Sequence, residues 1–200
     1  MSTDHQHFAL NKPFGYVSQF VSNQRLAHKK KYLGELYNFP EGTMAVGRLD
    51  EPSEGLLILT TDGVMSEKIR SKSIEKEYWA QLDGLVGEEA LLQMRQGIEI
   101  NVEGKAHLSQ AVFVESMPQP SNLQERSKAI RDERHGPTSW VRIILREGKY
   151  RQVRKMTAAA GFPTLRLIRA SVGGFQLGNM KAGECIELDQ KDLESLLNST

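Results

Sequence analysis

A chain of 200 residues carrying 26 Lys and Arg against 25 Asp and Glu, net charge +1, has the length of one domain or of one domain in two lobes, with room for a substantial core. No apolar stretch approaches the roughly 20 residues of a membrane helix, and the opening residues 1–7 hold no apolar signal segment, so the expectation is a cytoplasmic protein without membrane contact. The single cysteine, Cys185, excludes an internal disulfide and any multi-cysteine metal site, and its place in an apolar stretch reads as core filler.

Residues 7–20 alternate loosely and carry aromatic and β-branched side chains, which predicts a strand interrupted by Pro13-Phe14-Gly15. Residues 24–31 read as a polar, basic loop or short helix. The unbroken apolar run at 56–60 predicts a strand buried on both faces. A helix is expected over 62–72, capped by Thr61 or Asp62, with Val64, Met65 and Ile69 on its inner side. Residues 74–82 are strand-like, 88–96 form a helix stopped by Gly97, and strands follow at 98–102, 106–115 and 140–146. Between them, residues 118–138 are polar, charged and bounded by prolines, and read as a mobile loop within the domain. A helix over 150–160 ends at Gly161, strands are expected at 165–170 and 183–188, and Asp189 caps a last helix through residue 197. Gly173-Gly174 lacks the spacing of a phosphate-binding loop and marks a bend. Strands and helices in irregular order predict an α+β fold with a largely antiparallel mixed sheet flanked by helices.

Charge is distributed unevenly. Arg25, Lys29, Lys30 and Lys31 form one cluster, for which simple solubility is as good an account as binding. Arg142, Arg146, Lys149, Arg151, Arg154, Lys155, Arg166 and Arg169 form a second, opposed only by Glu147. Positive charge concentrated on a near-neutral chain points to a polyanion-binding face. His5, His7, His28, His107 and His135 show no paired ligand spacing beyond His5 and His7 in what reads as a disordered tail, so no metal is expected.

The densest pattern is Gly47-Arg48-Leu49-Asp50-Glu51-Pro52-Ser53-Glu54-Gly55 running into Leu56-Leu57-Ile58-Leu59. A turn-rich polar loop here delivers Arg48 and Asp50 just ahead of a buried strand, and an acid on a rigid anchor is a candidate nucleophile or base. A surface loop whose Arg and Asp simply pair would look the same. Three further stretches decide between these readings: Leu10-Asn11-Lys12-Pro13-Phe14-Gly15-Tyr16, Lys76-Glu77-Tyr78, and Arg146-Glu147-Gly148-Lys149-Tyr150-Arg151-Gln152-Val153-Arg154-Lys155-Met156.

In this order the four motifs resemble those of the pseudouridine synthases, specifically the ribosomal RsuA branch, and the resemblance runs from about residue 10 to about residue 178. It implies the pseudouridine synthase fold, with two lobes around a catalytic cleft, and roles for single residues. Asp50 matches the nucleophile, Arg48 the basic residue two places before it, and Tyr78 the tyrosine that stacks on the target base. Arg154 matches the basic residue paired with the aspartate, with Lys155 as its rival. Ser53 stands where relatives usually carry Thr, and the hydroxyl is kept. The opening strand leaves no room for the N-terminal S4-type RNA-binding domain of many relatives, so residues 1–200 are expected to be a single catalytic domain. The implied partner is large-subunit ribosomal RNA, free or in an assembly intermediate, bound by a monomer.

The chemistry agrees with those roles. Isomerisation breaks the N1–C1′ bond of uridine, turns the freed uracil and forms a C5–C1′ bond; nothing is oxidised and no group is imported, so no cofactor is expected. The reaction asks for an ionised carboxylate, and a guanidinium beside it offsets the loss of water in a closed pocket. Drawing the base out of its stack costs a few kcal/mol, against which an aromatic face returns roughly 1–3 kcal/mol. On a helix over 150–160, Arg151, Arg154 and Lys155 share one face while Val153, Met156 and Ala160 face the core. That basic face, with Lys149, Arg166 and Lys12, is expected to hold RNA phosphates. A non-catalytic RNA chaperone would not need Asp50 and Tyr78, and a carboxylate hydrolase would need a second positioned acid or a metal cage.

Overall fold

A computed structural model of the protein describes residues 5–21, 30–130 and 133–198. Its strands and helices alternate irregularly, as the pattern predicts. β1 (His7–Lys12), β2 (Tyr16–Val17), β3 (Lys31–Tyr32), β4 (Met44–Ala45) and β5 (Glu54–Thr60) precede α1 (Gly63–Arg70) and β6 (Lys76–Asp83). Then come α2 (Glu88–Gln96), β7 (Ile98–Val102), β8 (Lys105–Ser109), β9 (Phe113–Met117) and β10 (Thr138–Leu145). The chain closes with α3 (Gln152–Ala159), β11 (Thr164–Val172), β12 (Phe175–Gln176), β13 (Cys185–Glu187) and α4 (Gln190–Leu197).

The main sheet runs β13-β1-β5-β11-β6-β10-β9, with β4 beside β5 and β12 beside β11. Within it, the described pairings are antiparallel except that of β5 with β11. The sheet therefore has two halves, one around β1 and β5 and one around β6 and β10, joined by β11. β7 and β8 form a separate hairpin.

The unbroken apolar run in β5 follows from burial on both sides of the sheet. Leu57 and Leu59 pack with Phe8, Leu10, Ala80, Val153 and Met156, under α2 and α3. Leu56 and Ile58 pack with Ala9, Ile69, Ile168 and Leu196, under α1 and α4. The helix ends match their chemistry. The Asp62 side chain accepts from Val64 N and Met65 N, and Asp189 makes a reciprocal capping box with Asp192. In α1 the inward residues are Ser66 and Ile69; Val64, expected inside, is 65% exposed. The strand expected over 106–115 is two strands, β8 and β9, broken where Ala111 N bonds back to Met94 O. His7, expected in a disordered tail, opens β1, where it is buried with Nδ1 2.8 Å from Thr60 Oγ1.

Residues 118–137 connect β9 to β10, and the described ones include a 3-10 turn at 133–135. Segment 122–126 is tied to the loop between β12 and β13: Gln124 donates to Met180 O and accepts from Ala182 N, and Asn122 donates to Gly178 O. The Arg126 guanidinium lies 4.3 Å from the Phe14 ring centre.

The β5–β11 junction demands a glycine. Gly55 has φ +99°, and a Cβ built on it would lie 2.4 Å from Arg169 O and 2.7 Å from Arg169 N, both rigid backbone atoms of a central strand. Gly55→Ala is expected to cost about 2–3 kcal/mol through strain and overlap. Denaturant unfolding checks this; a midpoint matching the unsubstituted protein would mean that the two strands separate freely.

Candidate active site

The loop between β4 and β5 is fixed residue by residue. Val46 N bonds to Ile58 O, and Leu49, 6% exposed, sinks into the core. The buried Ser18 hydroxyl accepts from Leu49 N (3.0 Å) and donates to Leu49 O (2.8 Å), so both ends of that residue are clamped. Gly15 N donates to Glu51 O, and Ser53 N turns back to Asp50 O. Between these anchors stands Asp50, half-buried at the wall of a small cavity that also takes in Tyr78, Lys149, Arg151 and Leu167. Tyr78 reaches it from β6, where it pairs with Ile143 of β10 and Arg169 of β11 and is 9% exposed. Arg48 and Lys149 stand exposed at its mouth. Loop, sheet and the approach to α3 thus converge on one carboxylate, across the seam between the two halves of the sheet.

The cation beside Asp50 is Arg151. Its Nη1 lies 3.5 Å from Asp50 Oδ2, with both side chains partly exposed. This corrects the assignment of the pairing to Arg154 or Lys155, and the cause is a single backbone torsion. α3 begins at Gln152, and Arg151 precedes it with φ 54° and ψ 32°, a left-handed conformation. Arg151 is therefore not on the helical face assumed for it, and its side chain turns toward the loop. A non-glycine residue held there stores about 1–3 kcal/mol, and such strain gathers at functional sites.

Arg154 does different work. Its guanidinium donates to Pro52 O (3.1 Å), Ser53 Oγ (3.3 Å) and Thr164 O (3.1 Å), so it ties α3 to the loop on one side and to β11 on the other. Burial, with the nearby Arg151 charge, lowers its pKa from the ordinary guanidinium value. Lys155 points away altogether, donating to Asn101 O of β7 (2.7 Å) and lying over the Tyr150 ring.

Two more residues expected to meet phosphates are interior. Lys12 is fully buried, with Nζ donating to Pro13 O (3.0 Å) and Tyr16 O (2.7 Å); burial pushes its pKa down to about 8. Arg166, 5% exposed, makes a two-pronged pair with Glu54 at 2.8 and 2.9 Å and donates to Gln124 O. Their burial follows from these partners, which hold each cationic head inside the protein and away from solvent. Of the Arg25–Lys31 cluster, Arg25 and Lys29 lie outside the described residues, as does His28. Lys30 pairs with Glu51 at 2.9 Å and Lys31 lies 5.5 Å from the Tyr16 ring centre.

The reading from sequence passed over the group that shapes the turn before α3. Glu147 Oε1 accepts from Gln152 Nε2 (2.6 Å) and lies 3.0 Å from His107 Nε2. Gln152 Oε1 accepts from Lys149 N (2.9 Å). Burial works to raise the Glu147 carboxyl, but His107, the Gln152 hydrogen bond and the Lys149 charge together hold the group below its usual range. Glu147 and Gln152 belong to the quoted motif; His107 comes from β8, and only the fold brings it there.

The model of the RNA pseudouridylate synthase family matches residues 6–159, so that one match takes in the loop of Asp50, Tyr78 and the start of α3. The chain belongs to the RNA pseudouridine synthase family. As a pseudouridine synthase it is an isomerase. It is 39% identical over 181 residues to ribosomal large subunit pseudouridine synthase E of Vibrio parahaemolyticus, covering 89% of this chain and 71% of that one. The synthase of the same name from Xanthomonas axonopodis pv. citri is 38% identical over 170 residues, covering 84% of this chain and 86% of that one. A crystal structure of a pseudouridylate synthase superposes on this synthase with a TM-score of 0.74 at 27% identity, over 96% of this chain and 74% of the other.

Proposed function

We propose that this synthase isomerises uridine in large-subunit ribosomal RNA, with Asp50 as the nucleophile. The observation that carries the chemistry is the clamped loop: Ser18 fixes Leu49 at both its N–H and its carbonyl, which holds the backbone that presents the Asp50 carboxylate to the cavity. A carboxylate that attacks a nucleotide must be ionised, aimed and free of competing contacts. Arg151 places its guanidinium 3.5 Å from that carboxylate, while Arg154 holds the loop without a hydrogen bond to it. The Tyr78 ring, at the wall of the same cavity, supplies a face for the displaced uracil. The atoms balance without a further reactant: N1 leaves C1′, the uracil turns, C5 bonds to C1′, and the proton lost from C5 is matched by one gained at N1.

The substrate class rests on the relatives named for the ribosomal large subunit and on the exposed cations Arg48 and Lys149 at the cavity mouth. Purified protein incubated with unmodified transcripts of large-subunit rRNA, small-subunit rRNA and tRNA is expected to form pseudouridine in the first only. Binding is expected to weaken with salt along a straight log–log line, by about 0.7 per phosphate contact on a single strand. Pseudouridine in tRNA alone would overturn the substrate class and leave the catalytic assignment standing.

A further inference from the structure

A second, larger cavity opens from the Asp50 site along the sheet face. It has a volume of 540 Å³, within the 300–1,000 Å³ of small-molecule sites, and is walled by Gly47, Arg48, Tyr78 and Lys149 on the side of the catalytic loop. Its far wall carries three cations with no individual role from the sequence: Arg70 at the end of α1, Lys76 of the Lys76-Glu77-Tyr78 motif on β6, and Arg169 of the second basic cluster on β11. Lys76 and Tyr78 are two apart on β6, and Arg169 pairs directly with Tyr78, so strand alternation puts all three side chains on one face.

Charge is what sets this wall apart. Arg169 is 6% exposed and spends Nε on Leu56 O at 2.7 Å, with no carboxylate paired to it among the described residues. Lys76 is half-buried and donates to Ser71 O and Ile74 O, again to neutral acceptors. Burial and the Arg169 charge push Lys76 down to about 8. The neighbouring carboxylates are engaged elsewhere: Glu75 holds Arg146 and Glu77 holds Arg142. Glu67 alone brings negative charge to the lining. Buried cations without counter-charge are costly unless an anion completes them.

We propose that Lys76, Arg169 and Arg70 form a phosphate subsite that grips the RNA backbone one step from the nucleotide lying on Tyr78. This rests on the RNA-modifying reading above, and adds to it the place where the strand is held. Lys76 and Arg169 form the floor and Arg70 the exposed lip, so a strand crossing the cavity is anchored beside the base that must leave its stack. The anchor fixes the sugar while the uracil turns, because it binds the backbone and not the base.

Salt titration of binding to unmodified large-subunit rRNA, with Lys76→Met, Arg70→Gln and the remote, exposed control Lys191→Gln, tests this. The log–log slope is expected to become shallower by about 0.7 in each of the first two, with affinity about tenfold weaker and the control unchanged. Pyrophosphate supplies a readout independent of RNA: it is expected to raise the melting temperature of the unsubstituted protein and to lose that effect in Lys76→Met and Arg70→Gln. Arg70 is exposed, so its variant tests the site even if Lys76→Met folds poorly. Slopes equal to that of the unsubstituted protein, or a control that shifts as much as the others, overturn the subsite. Pyrophosphate stabilisation that depends on both residues in a protein that binds no rRNA would keep the anion site and remove the RNA reading.

Discussion

Asp50→Asn is expected to bind large-subunit rRNA as the unsubstituted protein does and to make no pseudouridine from it. The amide keeps the size and planarity of the carboxylate but cannot act as an anionic nucleophile, so the loss falls on turnover, on the order of 10⁴-fold or more. Binding is spared because the surrounding loop does not depend on the carboxylate: Leu49 is held by Ser18, and Pro52 and Ser53 by Arg154. One charge is removed from beside Arg151, which frees that cation and tightens, if anything, the hold on a polyanion. Single-turnover assay of product with parallel binding measurements reads both. Substantial product from Asp50→Asn free of unsubstituted enzyme would sink the assignment; lost binding with a lowered melting temperature would mean that the carboxylate also holds the loop.

The sequence made the frame legible wherever local chemistry sets the structure. The apolar run of β5, the caps at Asp62 and Asp189 and the stop at Gly97, with φ +116°, each follow from a residue and its immediate neighbours. The loop of Asp50 was legible as a motif, and its neighbour Tyr78 with it. What escaped depends on the fold. Lys12 and Arg166 look like surface cations in sequence, yet the fold closes Pro13 O and Tyr16 O over the first and Glu54 with Gln124 O over the second, so both are buried. Lys76 and Arg169 escaped for the converse reason: only the pairing of β6 with β11 brings them together beside Tyr78. Arg151 escaped through its own backbone, since helical periodicity extended over 150–160 starts two residues ahead of α3.

That last difference has the sharpest experimental consequence. Arg151→Ala is expected to slow the chemical step about 10²–10³-fold at saturating RNA, the scale of removing one aimed electrostatic contact from a reacting centre. Its effect on stability is expected to be small, within about 1 kcal/mol, because the pair with Asp50 is partly exposed and therefore screened. Arg154→Ala is expected to do the reverse first. It removes three part-buried hydrogen bonds, to Pro52 O, Ser53 Oγ and Thr164 O, each worth about 0.5–1.5 kcal/mol. Melting temperature should fall, and turnover with it as the loop loosens. Arg151→Lys separates charge from shape: it returns a cation without the fork of the guanidinium and should recover part of the rate. If Arg154→Ala stops chemistry at an unchanged melting temperature while Arg151→Ala alters affinity alone, the two roles must be exchanged. The strained torsion at Arg151 would then serve only to begin a helix, which any left-handed-tolerant residue such as Asn or Gly does at lower cost. That an arginine holds the position, 3.5 Å from the Asp50 carboxylate while Glu51 is taken by Lys30, is the physical reason to place it in the reaction.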